Sequence, residues 1–124
     1  MPIASINPAT GEKLKDFSVF DDSEIEKRLS RAENAFRKYR RTTFTERSEL
    51  LHAVTELLFH EKKKFAQIIT LEMGKLFRDS VAEIEKCARG CRFYAENGER
   101  FLEDQAAQTD AAKSYVQYNR LDRF

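Results

Sequence analysis

Between residues 23 and 102 this chain contains no proline and only three glycines, and its apolar residues recur every three or four positions. That recurrence matches the 3.6-residue turn of an α-helix, with few breakers to interrupt it. Ile25, Leu29, Ala32, Phe36 and Tyr39 form a first apolar stripe with charge around the rest. Leu50, Leu51, Val54, Leu57 and Leu58 form a second, and Phe65, Ile68, Ile69 and Met73 a third. Ser23 with Glu26, and Thr43 with Glu46, have the spacing of capping boxes. In such a box a hydroxyl accepts from the third amide and a carboxylate reaches back to the first. Gly74 supplies the left-handed residue that ends the third helix. A fourth and longest helix is predicted over 77–102. Its buried face is Phe77, Val81, Ile84, Ala88, Cys91, Gly98, Leu102 and either Tyr94 or Ala95.

The first 20 residues have another character. Asn7-Pro8 and Thr10-Gly11 are turn signals, and a loose alternation through Leu14 and Phe17 leads to Ser18-Val19-Phe20. Two short strands around a turn are predicted there. Residues 103–112 are acidic and rich in Gln and Ala, and read as a linker. Residues 114–118 alternate polar and apolar and read as a strand. Beside four helices that strand has no evident partner except the N-terminal hairpin. An unpaired edge is costly to bury and hazardous to expose, so a piece of sheet is expected to be missing. The expected fold class is mostly α, with an N-terminal β-hairpin and a C-terminal strand.

Composition narrows the functions open to such a chain. At 124 residues it has the length of one domain. Charged residues make up 35% but nearly cancel, leaving a formal net charge of +1 and no global field to recruit nucleic acid or an acidic membrane. Two cysteines are too few for a disulfide scaffold, and a reducing compartment fits better. No basic region followed by an apolar stretch opens the chain, and no run approaches the roughly 20 apolar residues of a membrane span. A cytoplasmic protein with neither nucleic acid nor membrane as partner is expected.

The residues that carry chemistry are few. Cys87 and Cys91 lie one helical turn apart, with Cys91 on the apolar stripe and Cys87 at its edge. Free cysteine tends to be buried, which favours an inert core pair. A reactive thiol helped by Arg89 and Arg92 is the other reading, although a helix interior lacks the amide-rich terminus that usually activates one. His52 and His60 bring the count to that of a zinc site, but they stand eight apart on another helix and do not have zinc spacing. His60 suits the last turn of its helix, where a cation favours the dipole. The glycines at 11, 74, 90 and 98 are scattered and never build the strand, glycine-rich turn and helix start that hold a pyrophosphate. Arg37-Lys38-Tyr39-Arg40-Arg41 and Lys62-Lys63-Lys64 are basic runs near helix C-termini, read as solvated faces rather than phosphate contacts.

Three segments point to a family. Ile6-Asn7-Pro8-Ala9-Thr10-Gly11-Glu12, Leu71-Glu72-Met73-Gly74-Lys75 and Tyr94-Ala95-Glu96-Asn97, in that order and at those intervals, resemble the N-terminal part of NAD(P)-dependent aldehyde dehydrogenases. The opening Met1-Pro2-Ile3-Ala4-Ser5-Ile6-Asn7-Pro8 is similar to that of the succinate-semialdehyde type. The resemblance runs from Ile3 to about Leu121 and implies the N-terminal part of an α/β fold. In intact members, it implies oxidation of an aldehyde to an acid with NAD or NADP. A cysteine thiohemiacetal, hydride transfer and glutamate-assisted thioester hydrolysis carry that reaction. The cysteine and the cofactor-gripping segments lie in later parts of the family pattern, so Cys87 and Cys91 do not match the nucleophile, and no cofactor is expected to bind this chain alone. The resemblance also implies a monovalent cation site, with Ser5, Ile6 and Glu72 at matching positions and a further ligand from beyond residue 124.

After Tyr118-Asn119 the family pattern continues Pro-Leu-Gly, where this chain has Arg120-Leu121-Asp122-Arg123-Phe124. The sequence reading is therefore a truncated N-terminal segment over residues 1–124, inactive alone. Its exposed apolar face would favour self-association or docking onto a full-length paralogue. The competing reading is a stand-alone helical interaction module.

Overall fold

A computed structural model of the chain describes residues 3–118. The family-pattern departure at residues 120–124 lies outside the described residues. The chain begins as a hairpin. Strands β1 (Ile3–Ile6) and β2 (Lys13–Phe17) pair antiparallel, with Ile3 opposite Phe17, Ile6 opposite Lys13 and an irregular register between Ser5 and Ile6. The turn uses the residues that signalled it. Asn7 Oδ1 accepts from the Ala9 amide at 2.9 Å, and the Gly11 amide donates to the Asn7 carbonyl at 2.8 Å. Gly11 takes a φ of 74°, the left-handed region glycine enters freely.

Helix α1 (Asp22–Tyr39) starts two residues earlier than its sequence suggested. Its cap is Asp21, whose Oδ1 accepts from the Glu24 amide and from the Ser23 hydroxyl, both at 2.8 Å. Ser23 thus lies inside the first turn, and the Ser23–Glu26 box does not form. A carboxylate caps as well as a hydroxyl and adds a favourable charge at the positive end of the helix. Helix α2 (Phe44–His60) has the box as expected. The Thr43 amide donates to Glu46 Oε2 at 2.6 Å, and Thr43 Oγ1 accepts from the Glu46 amide at 3.2 Å. Helix α3 (Lys62–Met73) ends at Gly74, whose φ is 67° and whose amide donates to the Thr70 carbonyl at 3.0 Å. Helix α4 runs Phe77–Phe101.

Helix α4 is the spine. It lies antiparallel to α2, as shown by contacts that run in opposite directions along the two helices. The Ser48 hydroxyl donates to the Ala95 carbonyl at 2.8 Å, and Arg92 meets Glu56 at 3.2 Å. Thr55 Oγ1 donates to the Leu51 carbonyl at 2.9 Å and lies 3.4 Å from the Ala88 carbonyl. Toward α3, Lys62 pairs with Glu85 at 2.6 Å, and the Thr70 and Ser80 hydroxyls are 3.1 Å apart.

Small side chains make this packing. Thr55, Ala66, Ser80 and Ala88 are fully buried, with Ile84 the one large apolar residue beside them. The expected α4 face is therefore corrected at both ends. Phe77, Tyr94 and Leu102 are exposed, Ser80 joins the interior, and of the pair Tyr94 or Ala95 it is Ala95 that turns inward. The α2 stripe splits: Leu51 and Leu58 are half-buried, while Leu50, Val54 and Leu57 face outward. Among the described residues no helix or strand packs along α1. The chain's accessible surface is 10523 Å², against about 6,900 Å² for a compact monomer of its 14.5 kDa mass.

The C-terminal strand finds a partner that the sequence did not reveal. β3 (Gln105–Ala106), inside the stretch read as a linker, pairs antiparallel with β4 (Tyr115–Val116) and not with the N-terminal hairpin. The Ala107 amide donates to the Ser114 carbonyl at 2.9 Å, and Gln105 Nε2 donates to the Tyr118 hydroxyl at 3.1 Å. Gln and Ala have no strand propensity of their own, and pairing alone makes the segment a strand.

Candidate functional site

The hairpin docks on the C-terminal end of α3, and that junction assembles residues distant in sequence. The glycine stop turns the chain beneath the Asn7-Pro8 turn, and a Cβ at position 74 would lie 3.1 Å from Pro8 Cγ. Two residues before the glycine, Glu72 Oε1 accepts from the Ser5 hydroxyl at 2.7 Å, a contact across 67 residues. Two of the three residues matched to a cation site, Ser5 and Glu72, thus meet directly. Ile6 follows Ser5 in β1 with its side chain exposed. The contact brings together a carboxylate and a hydroxyl oxygen, the donor type hard cations take.

The thiols stand elsewhere. Cys87 is exposed, which corrects its reading as a core residue, and Cys91 is half-buried; both are free. Cys87 borders a shallow groove with Lys75, Asp79, Glu83 and Lys86, spanned by a Lys75–Glu83 ion pair. His52 and His60 are exposed, and no group of three or more His, Cys, Asp or Glu able to hold a metal occurs among the described residues. Among the described residues neither thiol is hydrogen-bonded to a base that would activate it.

The glycines do not gather into a phosphate cradle. Gly11 closes the hairpin turn, Gly74 ends α3, and Gly90 and Gly98 lie inside α4, so none opens a helix after a strand. Among the described residues no glycine-rich turn joins a strand to the start of a helix. The basic runs serve local structure. Arg37 and Lys38 occupy the last turn of α1, and Lys62–Lys64 sit where α2 ends and α3 begins. Lysines in the first turn of α3 oppose its dipole, and two of them are met by carboxylates: Lys64 by Glu61 at 2.5 Å and Lys62 by Glu85. Those hydrogen bonds hold both glutamates below the ordinary carboxylate value.

One feature carried no sequence signal. Where α1 ends and α2 begins, facing the end of α4, lies a cleft of about 380 Å³ lined by Tyr39, Phe44, Arg47, Ser48, Tyr94 and Leu102 among others. Arg47 is its organiser. Nε donates to Thr42 Oγ1 at 2.9 Å, Nη2 donates to the Tyr39 carbonyl at 3.1 Å, and the guanidinium lies 4.7 Å from the Tyr39 ring centre. The residue reads in sequence as one more surface charge, and its role exists only once α1 and α2 meet at this angle.

Residues 1–121 match the model of the aldehyde dehydrogenase family. The NADP(+)-dependent succinate-semialdehyde dehydrogenase of Mycobacterium avium is 43% identical over 98% of this chain, which covers 26% of that protein. The structure of succinic semialdehyde dehydrogenase from Streptococcus pyogenes, in complex with NADP+, superimposes with a TM-score of 0.84 at 33% identity. That match covers 90% of this chain and 25% of the other. The structure of Gox0499 matches with a TM-score of 0.90 at 23% identity, over 94% of this chain and 26% of that one, a likeness of fold. The chain spans about a quarter of the length of these relatives. No helix of the described residues is long and apolar enough to cross a membrane.

Proposed function

Because the chain belongs to the aldehyde dehydrogenase family, we propose that it is the N-terminal helical segment of a succinate-semialdehyde dehydrogenase-type enzyme, and that by itself it neither binds NADP nor oxidises aldehyde. One observation carries this reading: the likeness runs through 98% of the chain yet takes in only 26% of the Mycobacterium avium relative. The scattered glycines and the two thiols without a neighbouring base agree with it. So does α2, which leaves Leu50, Val54 and Leu57 exposed among the described residues, an apolar face that a larger body would cover.

The test is direct. The purified chain is incubated with succinate semialdehyde and NADP+ or NAD+, and reduced cofactor is followed by absorbance while binding is followed calorimetrically. No turnover and no binding heat are expected; tight cofactor binding or turnover refutes the reading. For the hairpin junction, Ser5, Ile6 and Glu72 are the proposed protein share of a monovalent cation site. Melting in sodium or potassium chloride is compared with melting in a bulky organic cation at equal ionic strength. A cation-specific gain that Glu72→Gln removes supports the site, and equal melting in all salts counts against it.

A further inference from the structure

Helix α1 differs from the other three helices in what holds it as a helix. Among the described residues it has no buried residue, and no helix or strand packs along it. Helices α2, α3 and α4 instead share an interior that includes Thr55, Ala66, Ser80, Ile84 and Ala88. The supports of α1 are local. Asp21 caps its first turn, Asp22 and Glu24 stand at its positive end, and Arg37 and Lys38 stand at its negative end. Glu24 pairs with Arg28 at 3.0 Å and Glu33 with Arg37 at 2.8 Å, each four residues apart with the carboxylate first, the favourable order. Such contributions are small in water. A helix of 18 residues that packs no face lacks the main source of helix stability in proteins.

A contact from α2 reaches the end of this helix. The last carbonyls of an α-helix have no partner within it. At the end of α1 the Tyr39 carbonyl accepts from the Thr42 hydroxyl at 2.7 Å and from Arg47 Nη2 at 3.1 Å, and Arg47 Nε donates to Thr42 Oγ1 at 2.9 Å. The guanidinium also lies 4.7 Å from the centre of the Tyr39 ring. Arg47 belongs to the start of α2, where the Thr43–Glu46 box fixes the backbone, so the packed helices set its position. A cation at the negative end of a helix favours the helical state. We propose that α1 is a separately opening arm: it passes between helix and coil while α2, α3 and α4 stay folded, and Arg47, reaching back from α2, is the positioning residue that holds its end closed. Residues 40–43 are the hinge. Opening of the arm is read without cofactor or substrate, so it fails or stands apart from the turnover test.

The test is hydrogen–deuterium exchange on the full chain, resolved by peptide mass spectrometry across a dilution series. Amides of residues 26–39 are expected to exchange on the order of 100-fold faster than those of residues 80–91 in α4, at every chain concentration. Ala32→Pro removes an amide from the middle of α1 and is expected to abolish protection there, with residues 80–91 exchanging as in the wild type. Arg47→Ala is expected to speed exchange over residues 33–39 roughly threefold to fivefold and again to spare residues 80–91. Arg47→Lys keeps the cation but loses the paired donors, and is expected to fall between wild type and Arg47→Ala. Protection of α1 equal to that of α4 overturns the inference. So does protection of α1 that rises with chain concentration, the mark of a second copy covering it. An Ala32→Pro chain that also loses protection over residues 80–91 overturns it, because arm and packed helices would then open together. Unchanged α1 exchange in Arg47→Ala overturns it as well.

Discussion

Replacing Gly74 with alanine tests the junction between α3 and the hairpin. At φ 67° and ψ 16° the residue is left-handed, a conformation that costs an L-residue roughly 1–2 kcal/mol. The new methyl would also sit 3.1 Å from Pro8 Cγ, inside the usual 3.5–4.0 Å carbon separation. Against this, alanine narrows the unfolded ensemble by about 0.4–1 kcal/mol. The Pro8 turn is exposed and can yield a few tenths of an ångström, so backbone strain dominates, and a net loss of about 1 kcal/mol is expected. For a chain of this size that lowers Tm by about 4 °C. Gly90→Ala is the internal control, since a Cβ there meets nothing within 4 Å in a helix interior. It is expected to stabilise by about 0.5–1 kcal/mol. Gly74→Asn separates the two causes, because asparagine tolerates the left-handed region while keeping the contact with Pro8. Urea and thermal unfolding of the three variants read the result. If Gly74→Ala melts with the wild type, or Gly90→Ala falls as far as Gly74→Ala, the reasoning is refuted.

The remaining expectations concern the caps, the interior and pH. Thr43→Ala removes the hydroxyl that accepts from the Glu46 amide and should cost about 1 kcal/mol in urea unfolding. Ala88→Leu forces a large side chain into the fully buried α2–α4 contact and should cost about 1–3 kcal/mol, whereas Ala82→Leu on the exposed side of α4 should change stability little. Asp21, Glu46 and Glu85 are each held below the ordinary carboxylate value, by the Glu24 amide, the Thr43 amide and the Lys62 ammonium respectively. Their stabilisation is complete above the unfolded value and disappears as pH falls through the lowered native values. An acid melting series should therefore show a falling limb in that window, shallower in Glu46→Gln; an unchanged limb would exclude the capping carboxylate as a contributor.

The elements themselves were legible because their causes are local. The Thr43–Glu46 box, the Gly74 stop, the Asn7 turn and the 3.6-residue stripes each act within a few residues of chain, and all four appear in the structure. Even the misplaced start of α1 was a local competition, lost by Ser23 to a carboxylate two residues earlier. Ser5, Ile6 and Glu72 were singled out by family likeness alone, and only the docking of the hairpin on α3 shows that Ser5 and Glu72 touch. The middle of the α4 face, Val81, Ile84, Ala88 and Cys91, lies inside as its periodicity predicts, whereas tertiary structure decided how the α2 stripe divides. Apolar character gives the same signal whichever neighbour covers it, so the stripes could not reveal that α2 and α4 meet through Ser48, Thr55, Ala88 and Ala95. Close approach of two backbones selects small side chains there and sends Leu50, Val54 and Leu57 to the other side. Pairing likewise made a strand of Gln105–Ala106, which had no propensity to announce one. Periodicity along the chain fixes that a residue lies on a face; only packing fixes what that face meets.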